Sequence, residues 1–228
     1  MANKSDPHQL GQMLEQGLAA LGLVTSPATR QRLLEYLLLL ERWNRTYNLT
    51  GVRDPELMLR RHLLESLALL PWLHGSSLLD MGSGAGLPGI PLAIARPDLT
   101  VRLVESVGKK VRFMNQVGRS LELDNVIVEQ QRLEDLPGRR DADVITVRGL
   151  ARLGRICRWA EPLLAVRGSI LCLKGPSVEQ ELAEVADPFS IRSVESLDIP
   201  GLPASSHLVI IQRSQLDCGD SVLTSVEQ

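Results

Sequence analysis

Leu78-Leu79-Asp80-Met81-Gly82-Ser83-Gly84-Ala85-Gly86-Leu87-Pro88-Gly89 decides the fold. An apolar run ends on an aspartate, four glycines follow, and a proline stands where a helix could begin. The pattern predicts a strand, a tight turn and a helix start. Glycine lets the backbone turn sharply and approach a ligand without a Cβ clash. A helix N-terminus offers unpaired N–H groups and the positive end of a dipole. In a parallel α/β sheet such a turn lies at the carboxyl ends of the strands, where ligands bind.

The glycine spacing leaves two readings open. Gly84-x-Gly86-x-x-Gly89 fits a dinucleotide-binding turn, and Asp80-x-Gly82-x-Gly84-x-Gly86 fits the S-adenosylmethionine (AdoMet) loop of methyltransferases. The acid favours the second, because a carboxylate repels a pyrophosphate but can accept hydrogen bonds from the amino acid end of AdoMet. A ribose needs an acceptor for its hydroxyls, and both classes place an acid at the end of the second strand, about 20 residues past the loop. Glu105 ends Val101-Arg102-Leu103-Val104 and fills that place.

The chain has 228 residues, enough for one α/β domain with an attachment, and 44% of them are hydrophobic. Purely apolar runs such as Leu37 to Leu40 fall far short of the roughly 20 residues of a membrane span. The polar N-terminus lacks a signal peptide pattern, so a cytoplasmic location is expected. Cys157, Cys172 and Cys218 are scattered with no CxxC pair, which argues against a disulfide or metal framework. A net charge of −2 gives no overall attraction to nucleic acid, so any such site must be a local basic patch.

The first seventy residues read as helices. Gln9 to Leu21 carries leucines on one face, Ser26-Pro27 opens a helix ending near Trp43, and Asp54-Pro55 opens another that stops at Pro71. From Ser77 strands and helices alternate. Strands are expected at Ser77–Met81, Val101–Glu105, Val126–Glu129, Asp143–Val147, Ser169–Lys174, Ile191–Leu197 and His207–Arg213. Helices are expected at Pro88–Arg96, Gly108–Leu121, Leu150–Leu164 and Val178–Val185. The last two strands have no helix between them and predict an antiparallel edge joined through Pro200-Gly201-Leu202-Pro203. The expected architecture is α/β: a seven-stranded, mostly parallel, doubly wound sheet of the class I AdoMet-dependent methyltransferase kind. The expected division is a helical segment over 1–72, a Rossmann-like AdoMet-binding domain over 73–214 and a loose tail over 215–228.

Asp80 to Ile94 resembles the loop of the ribosomal RNA small subunit methyltransferase G family, also called glucose-inhibited division protein B. The resemblance extends to Trp43-Asn44-Arg45-Thr46-Tyr47-Asn48-Leu49-Thr50, Arg60-Arg61-His62-Leu63-Leu64-Glu65-Ser66, Gly108-Lys109-Lys110-Val111-Arg112-Phe113, Val147-Arg148 and Leu173-Lys174-Gly175. Many methyltransferases share the loop; the loop together with the tryptophan–asparagine stretch is specific to this family. Two departures are mild: Glu65 stands where aspartate is more usual, and Gly149 where alanine is.

The resemblance implies N7-methylation of one guanine (guanine 527 in conventional rRNA numbering) in the decoding-region loop of 16S rRNA, with AdoMet as cofactor. The implied partner is 16S rRNA or the small ribosomal subunit, and a monomer with no metal is expected. Asp80, Gly82, Gly84, Gly86 and Leu87 would form the cofactor loop. Glu105 would hold the ribose, Leu133 and Glu134 would flank the adenine, and Arg148 would close the site beside the methyl group or the base. Guanine N7 carries a free lone pair, so no catalytic acid or base is assigned. Arg148 is the candidate for positioning the base; a strand-end arginine paired with Asp80, Asp143 or Glu134 is the alternative. Arg45, Arg60, Arg61, Lys109, Lys110, Arg112 and Lys174 could form a rim on RNA phosphates, or be ordinary solvated charges, and Arg152 adds to the group. Trp43, Tyr47 and Asn48 read as core and capping residues rather than RNA contacts. His62 reads as structural or RNA-facing.

Overall fold

The computed structural model describes residues 6–202 and 206–214. The expected tail over 215–228, Cys218 and Pro203 of the expected link lie outside them. Helix starts follow the capping signals. Asp6 accepts from His8 N–H before α1 (Pro7–Ala20), Ser26 from Thr29 N–H before α2 (Pro27–Tyr47), and Asp54 from Leu57 N–H before α3 (Pro55–Met58). α2 runs past Trp43 by one turn. Trp43 packs at a tilt against Tyr47 and Phe113, with ring centroids 5.1 and 5.6 Å away, and Asn48 closes the helix in the left-handed region at φ 48°. After α3 the coil widens into a π-helical turn, Leu59–Leu64, then tightens into α4 (Glu65–Leu67).

The seven strands are β1 (Ser77–Met81), β2 (Thr100–Glu105), β3 (Val126–Gln130), β4 (Ala142–Arg148), β5 (Leu164–Lys174), β6 (Phe189–Leu197) and β7 (Ser206–Arg213). They form one sheet in the order β3-β2-β1-β4-β5-β7-β6. The first five are parallel, and β7 runs antiparallel to β5 and β6, the expected edge. β1 and β4 are buried almost throughout because helices cover both faces. One face packs α1, α2, α3, α5 (Gly89–Ala95) and α6 (Gly108–Ser120); the other packs α7 (Leu153–Ala160). A short helix, α8 (Glu179–Leu182), follows β5. The helix expected over Leu150–Leu164 is shorter at both ends. Gly149 turns the chain at φ 59°, and Leu164 already pairs with Ala142 as the start of β5.

The N-terminal helices are part of the sheet's own core. Leu10, Leu37 and Leu63 share one buried cluster with Ile90, Leu103 and Phe113. Each fully buried leucine stabilises by about 1.5–3 kcal/mol, so this contact holds the helical segment firmly on one face. Consequently the loop after α2 and the π-helical turn are carried to the carboxyl ends of β1 and β4. Among the described residues no helix is long and apolar enough to cross a membrane, and no group of three His, Cys, Asp or Glu is arranged to hold a metal.

Candidate cofactor and substrate site

The glycine loop folds on itself at the end of β1. Gly82, Gly84 and Gly86 take φ values of 69°, 59° and 85°, a region that side chains other than glycine rarely adopt. Gly82 and Ser83 N–H donate to the Val104 carbonyl at 2.9 and 3.0 Å, which ties the loop to β2. From the helical side the buried Tyr36 hydroxyl donates to the Ala85 carbonyl at 2.8 Å.

Asp80 stands elsewhere than expected. It is fully buried, accepting from Gly89 N–H at 3.0 Å and from the Thr146 hydroxyl at 3.0 Å. Burial pushes its carboxyl up to about 6, against the pull of these bonds. The carboxylate therefore braces the turn instead of meeting a cofactor, and it takes the first N–H of α5, which the sequence had offered to a ligand. Gly86 likewise faces the protein: a Cβ there would lie 2.3 Å from Ile90 Cδ1. Asp80 and Gly86 thus drop out of the expected contact set.

A cavity of about 510 Å³ opens beside the loop, within the range of small-molecule sites. Gly82, Gly84 and Leu87 line one wall, with Glu105 and Lys110 next to them, Leu133 and Glu134 beyond, and Arg148 at the end of β4. The structure brings these sequence-predicted residues together. Glu105 accepts from Gly84 N–H at 3.0 Å and from Val107 N–H at 2.9 Å, and Lys110 approaches it at 3.4 Å. It lies at the cavity edge. Glu134 pairs with Arg155 at 3.5 Å, and Arg155 lies over the Trp159 ring at 4.5 Å.

The opposite wall was not predicted. Leu49, Thr50 and His62 from the helical segment line it, and Leu150 and Trp159 complete the lining of the cavity. Leu150 fits against the loop because Gly82 lacks a side chain; a Cβ there would lie 2.6 Å from Leu150 Cδ1. His62 is buried, with Nε2 2.9 Å from Thr50 Oγ1 and Nδ1 3.0 Å from Arg148 Nη2. Burial, helped by the Arg148 charge, lowers its pKa to about 3. Arg148 pairs with Glu65 at 3.4 Å, not with Asp80, Asp143 or Glu134. Asp143 instead accepts from Ser76 and Ser77, and Glu65 also accepts from the Ser206 hydroxyl at 2.5 Å. The one sequence signal for this wall is a histidine and a glutamate one helical turn apart in a leucine-rich helix.

The expected basic rim divides. Arg61 and Arg112 are exposed and, among the described residues, form no ion pair. Arg45 is exposed and pairs with Glu41 at 2.5 Å, while Lys109 donates to the Tyr47 carbonyl at 2.7 Å beside them. Arg60 turns to the Pro200 carbonyl at 3.2 Å and Lys110 to Glu105. Lys174 is a correction: only 11% of its side chain is exposed, and it is tied to Glu181 at 2.7 Å and the Ala151 carbonyl at 2.6 Å. Arg152 is taken up by Glu184.

The donor set suits AdoMet: an acid at the end of β2, apolar Leu133 beside it, and a backbone loop open to close approach. In fold the chain is similar to the geranyl diphosphate C-methyltransferase of Streptomyces coelicolor A3(2), solved with S-adenosyl-L-homocysteine. The TM-score is 0.55 at 16% identity over 78% of this chain and 98% of that one. It is also similar in fold to TrmN from Thermus thermophilus, with a TM-score of 0.53 at 16% identity over 66% of this chain and 48% of that one. In sequence it is 47% identical to the ribosomal RNA small subunit methyltransferase G of Xanthomonas oryzae pv. oryzae (strain MAFF 311018), over 88% of this chain and 94% of the relative. The counterpart from Alteromonas mediterranea is 42% identical over 90% of this chain and 97% of the relative. With the rRNA small subunit methyltransferase G model matching residues 29–209 as well, the chain belongs to that family of AdoMet-dependent ribosomal RNA methyltransferases.

Proposed function

We propose that the chain methylates N7 of a single guanine, guanine 527 in conventional rRNA numbering, in the decoding-region loop of 16S rRNA. It acts as a monomer in the cytoplasm on the rRNA or the small subunit. The observation that carries this reading is the state of the cavity's acids and bases. Glu105 is held by two backbone N–H groups, Glu134 is paired with Arg155, and the His62 Nδ1 lone pair points at Arg148. Each of these groups already has a partner within the protein. Guanine N7 has no proton to lose, so a site without a free base suits it.

When bound, AdoMet supplies an electrophilic methyl group on a sulfonium. Gly82, Gly84 and Leu87 give the cofactor close backbone contact, Glu105 accepts from its ribose, and Leu133 and Glu134 border its adenine. Arg148 orients the guanine through O6 or a neighbouring phosphate. Catalysis then rests on alignment, worth about 7–11 kcal/mol in the best model systems. An unpaired loop guanine meets the need for an accessible base. Arg45, Arg61, Lys109 and Arg112 contact RNA phosphates outside the cavity.

The test is incubation of the purified chain with methyl-labelled AdoMet and small subunits, or naked 16S rRNA, that lack this modification. Label in 16S rRNA is expected. Its absence from both substrates would overturn the reading.

A further inference from the structure

Arg148 is gripped from the helical segment, through contacts that no loop or strand supplies. The π-helical turn is the source. Its wider coil closes by Glu65 N–H donating to the Arg60 carbonyl, and the Ser66 hydroxyl takes the His62 carbonyl. π-helical turns are frequent at functional sites. Here it delivers His62 and Glu65 to two edges of one guanidinium: Nη2 reaches His62 Nδ1 at 3.0 Å, and Nε lies 3.4 Å from Glu65 Oε2.

Chemistry fixes the histidine's state. An arginine side chain only donates, so Nδ1 must present its lone pair. The proton then sits on Nε2 and is donated to Thr50 Oγ1, 2.9 Å away, which also accepts from Val52 N–H at 3.2 Å. The imidazole's low proton affinity agrees with a neutral ring. Nη1 is the remaining arm of the guanidinium; it is buried and has no hydrogen-bond partner among the described residues. A guanidinium is a planar fork with fixed donor directions, so anchoring two edges sets the third.

We propose that His62 is a positioning residue for methyl transfer: the neutral imidazole, braced by Thr50, holds Arg148 between itself and Glu65 and so fixes the guanidinium in the cavity wall beside the target nucleotide. The proposal rests on the reading of Arg148 as the group that orients the base. It makes the helical segment a working wall of the catalytic site.

A double-mutant cycle on rRNA methylation tests it, with kcat and KM for both substrates and thermal stability recorded for each variant. His62→Leu removes the acceptor and should lower kcat about 100-fold, the scale of a misplaced positioning group. His62→Gln keeps an acceptor and should recover about tenfold of that loss. In an Arg148→Gln background, His62→Leu should cost less than about threefold more. Equal losses in the two backgrounds would overturn the proposal and leave His62 a packing residue. Full activity of Arg148→Gln alone would overturn the underlying reading of Arg148 instead. Should His62→Leu fail to fold, Thr50→Val, which removes only the brace behind the imidazole, carries the same cycle with the same criteria.

Discussion

The two walls of the cavity are made in different ways. The glycine-loop wall is backbone: positive-φ glycines, carbonyl contacts to β2, and two acids that hold the loop. The helical wall is side chain: Thr50 braces His62, and His62, with Glu65 behind it, holds an arginine distant in sequence. A backbone wall can recognise a cofactor common to many enzymes. A side-chain wall can be fitted to one substrate, and it depends on how the helical segment docks. The glycine loop speaks for the donor of the methyl group, and the helical wall for its acceptor.

Acid should separate the walls most strongly. His62 has its folded pKa lowered from 6.5 to about 3, so its contribution to stability is present above pH 6.5 and is lost as the pH falls toward 3. Asp80 has its folded pKa raised from 3.8 to about 6, so its contribution is full below pH 3.8 and is lost as the pH rises through 6. Urea unfolding against pH should show the wild type losing ground to His62→Gln below pH 6.5, by up to about 1.4 kcal/mol per pH unit. Against Asp80→Asn it should gain ground as the pH falls from about 6 to 4. Slopes of the same sign would break the contrast.

Cofactor affinity sharpens it next. Replacing Glu105 by Gln should weaken AdoMet or S-adenosylhomocysteine by about 10–100-fold in calorimetry, the value of a hydrogen bond to a charged group. His62→Gln should leave that affinity within about threefold. The loop wall should also be intolerant of volume. An alanine at Gly89 puts its Cβ 2.3 Å from Leu103 Cδ2 and 2.8 Å from Asp80 Oδ2. Gly89→Ala should therefore cost about 1–3 kcal/mol in denaturant unfolding, as overpacking does.

The smallest effects belong to the outer charges. Lys109→Ala and Arg112→Ala should each raise KM for rRNA a few-fold and reduce the salt dependence of binding by about one ion. Lys174→Ala should lower the melting temperature and leave the salt dependence unchanged, because its ammonium is consumed by Glu181 and Ala151.

Legibility followed the same division. The strand–turn–helix around Gly82 was readable because each signal is local: an apolar run, glycines at positive φ, and a helix start. Ser26-Pro27 and Asp54-Pro55 were readable for the same reason, since a cap acts within three residues. The facing of Asp80 was not, because the sequence gives an acid at a strand end but not which side its oxygens turn to. Lys174 reads as a rim charge because its partner Glu181 lies seven residues on, in the short helix α8, and only the fold brings the two together. The link from Thr50 through His62 to Arg148 was hidden altogether, because it depends on a π-helical turn and on the docking of leucine-rich helices.

The proposed reaction passes a methyl group to a nitrogen that needs no base. The direct measurement is chemical mapping of 16S rRNA after reaction with AdoMet, by borohydride reduction and aniline cleavage, which breaks the chain at N7-methylguanine. The account predicts a single new cleavage, at guanine 527 in the decoding-region loop, in step with methyl incorporation. Stoichiometric methyl incorporation with no new cleavage, or with cleavage spread over many guanines, would contradict it.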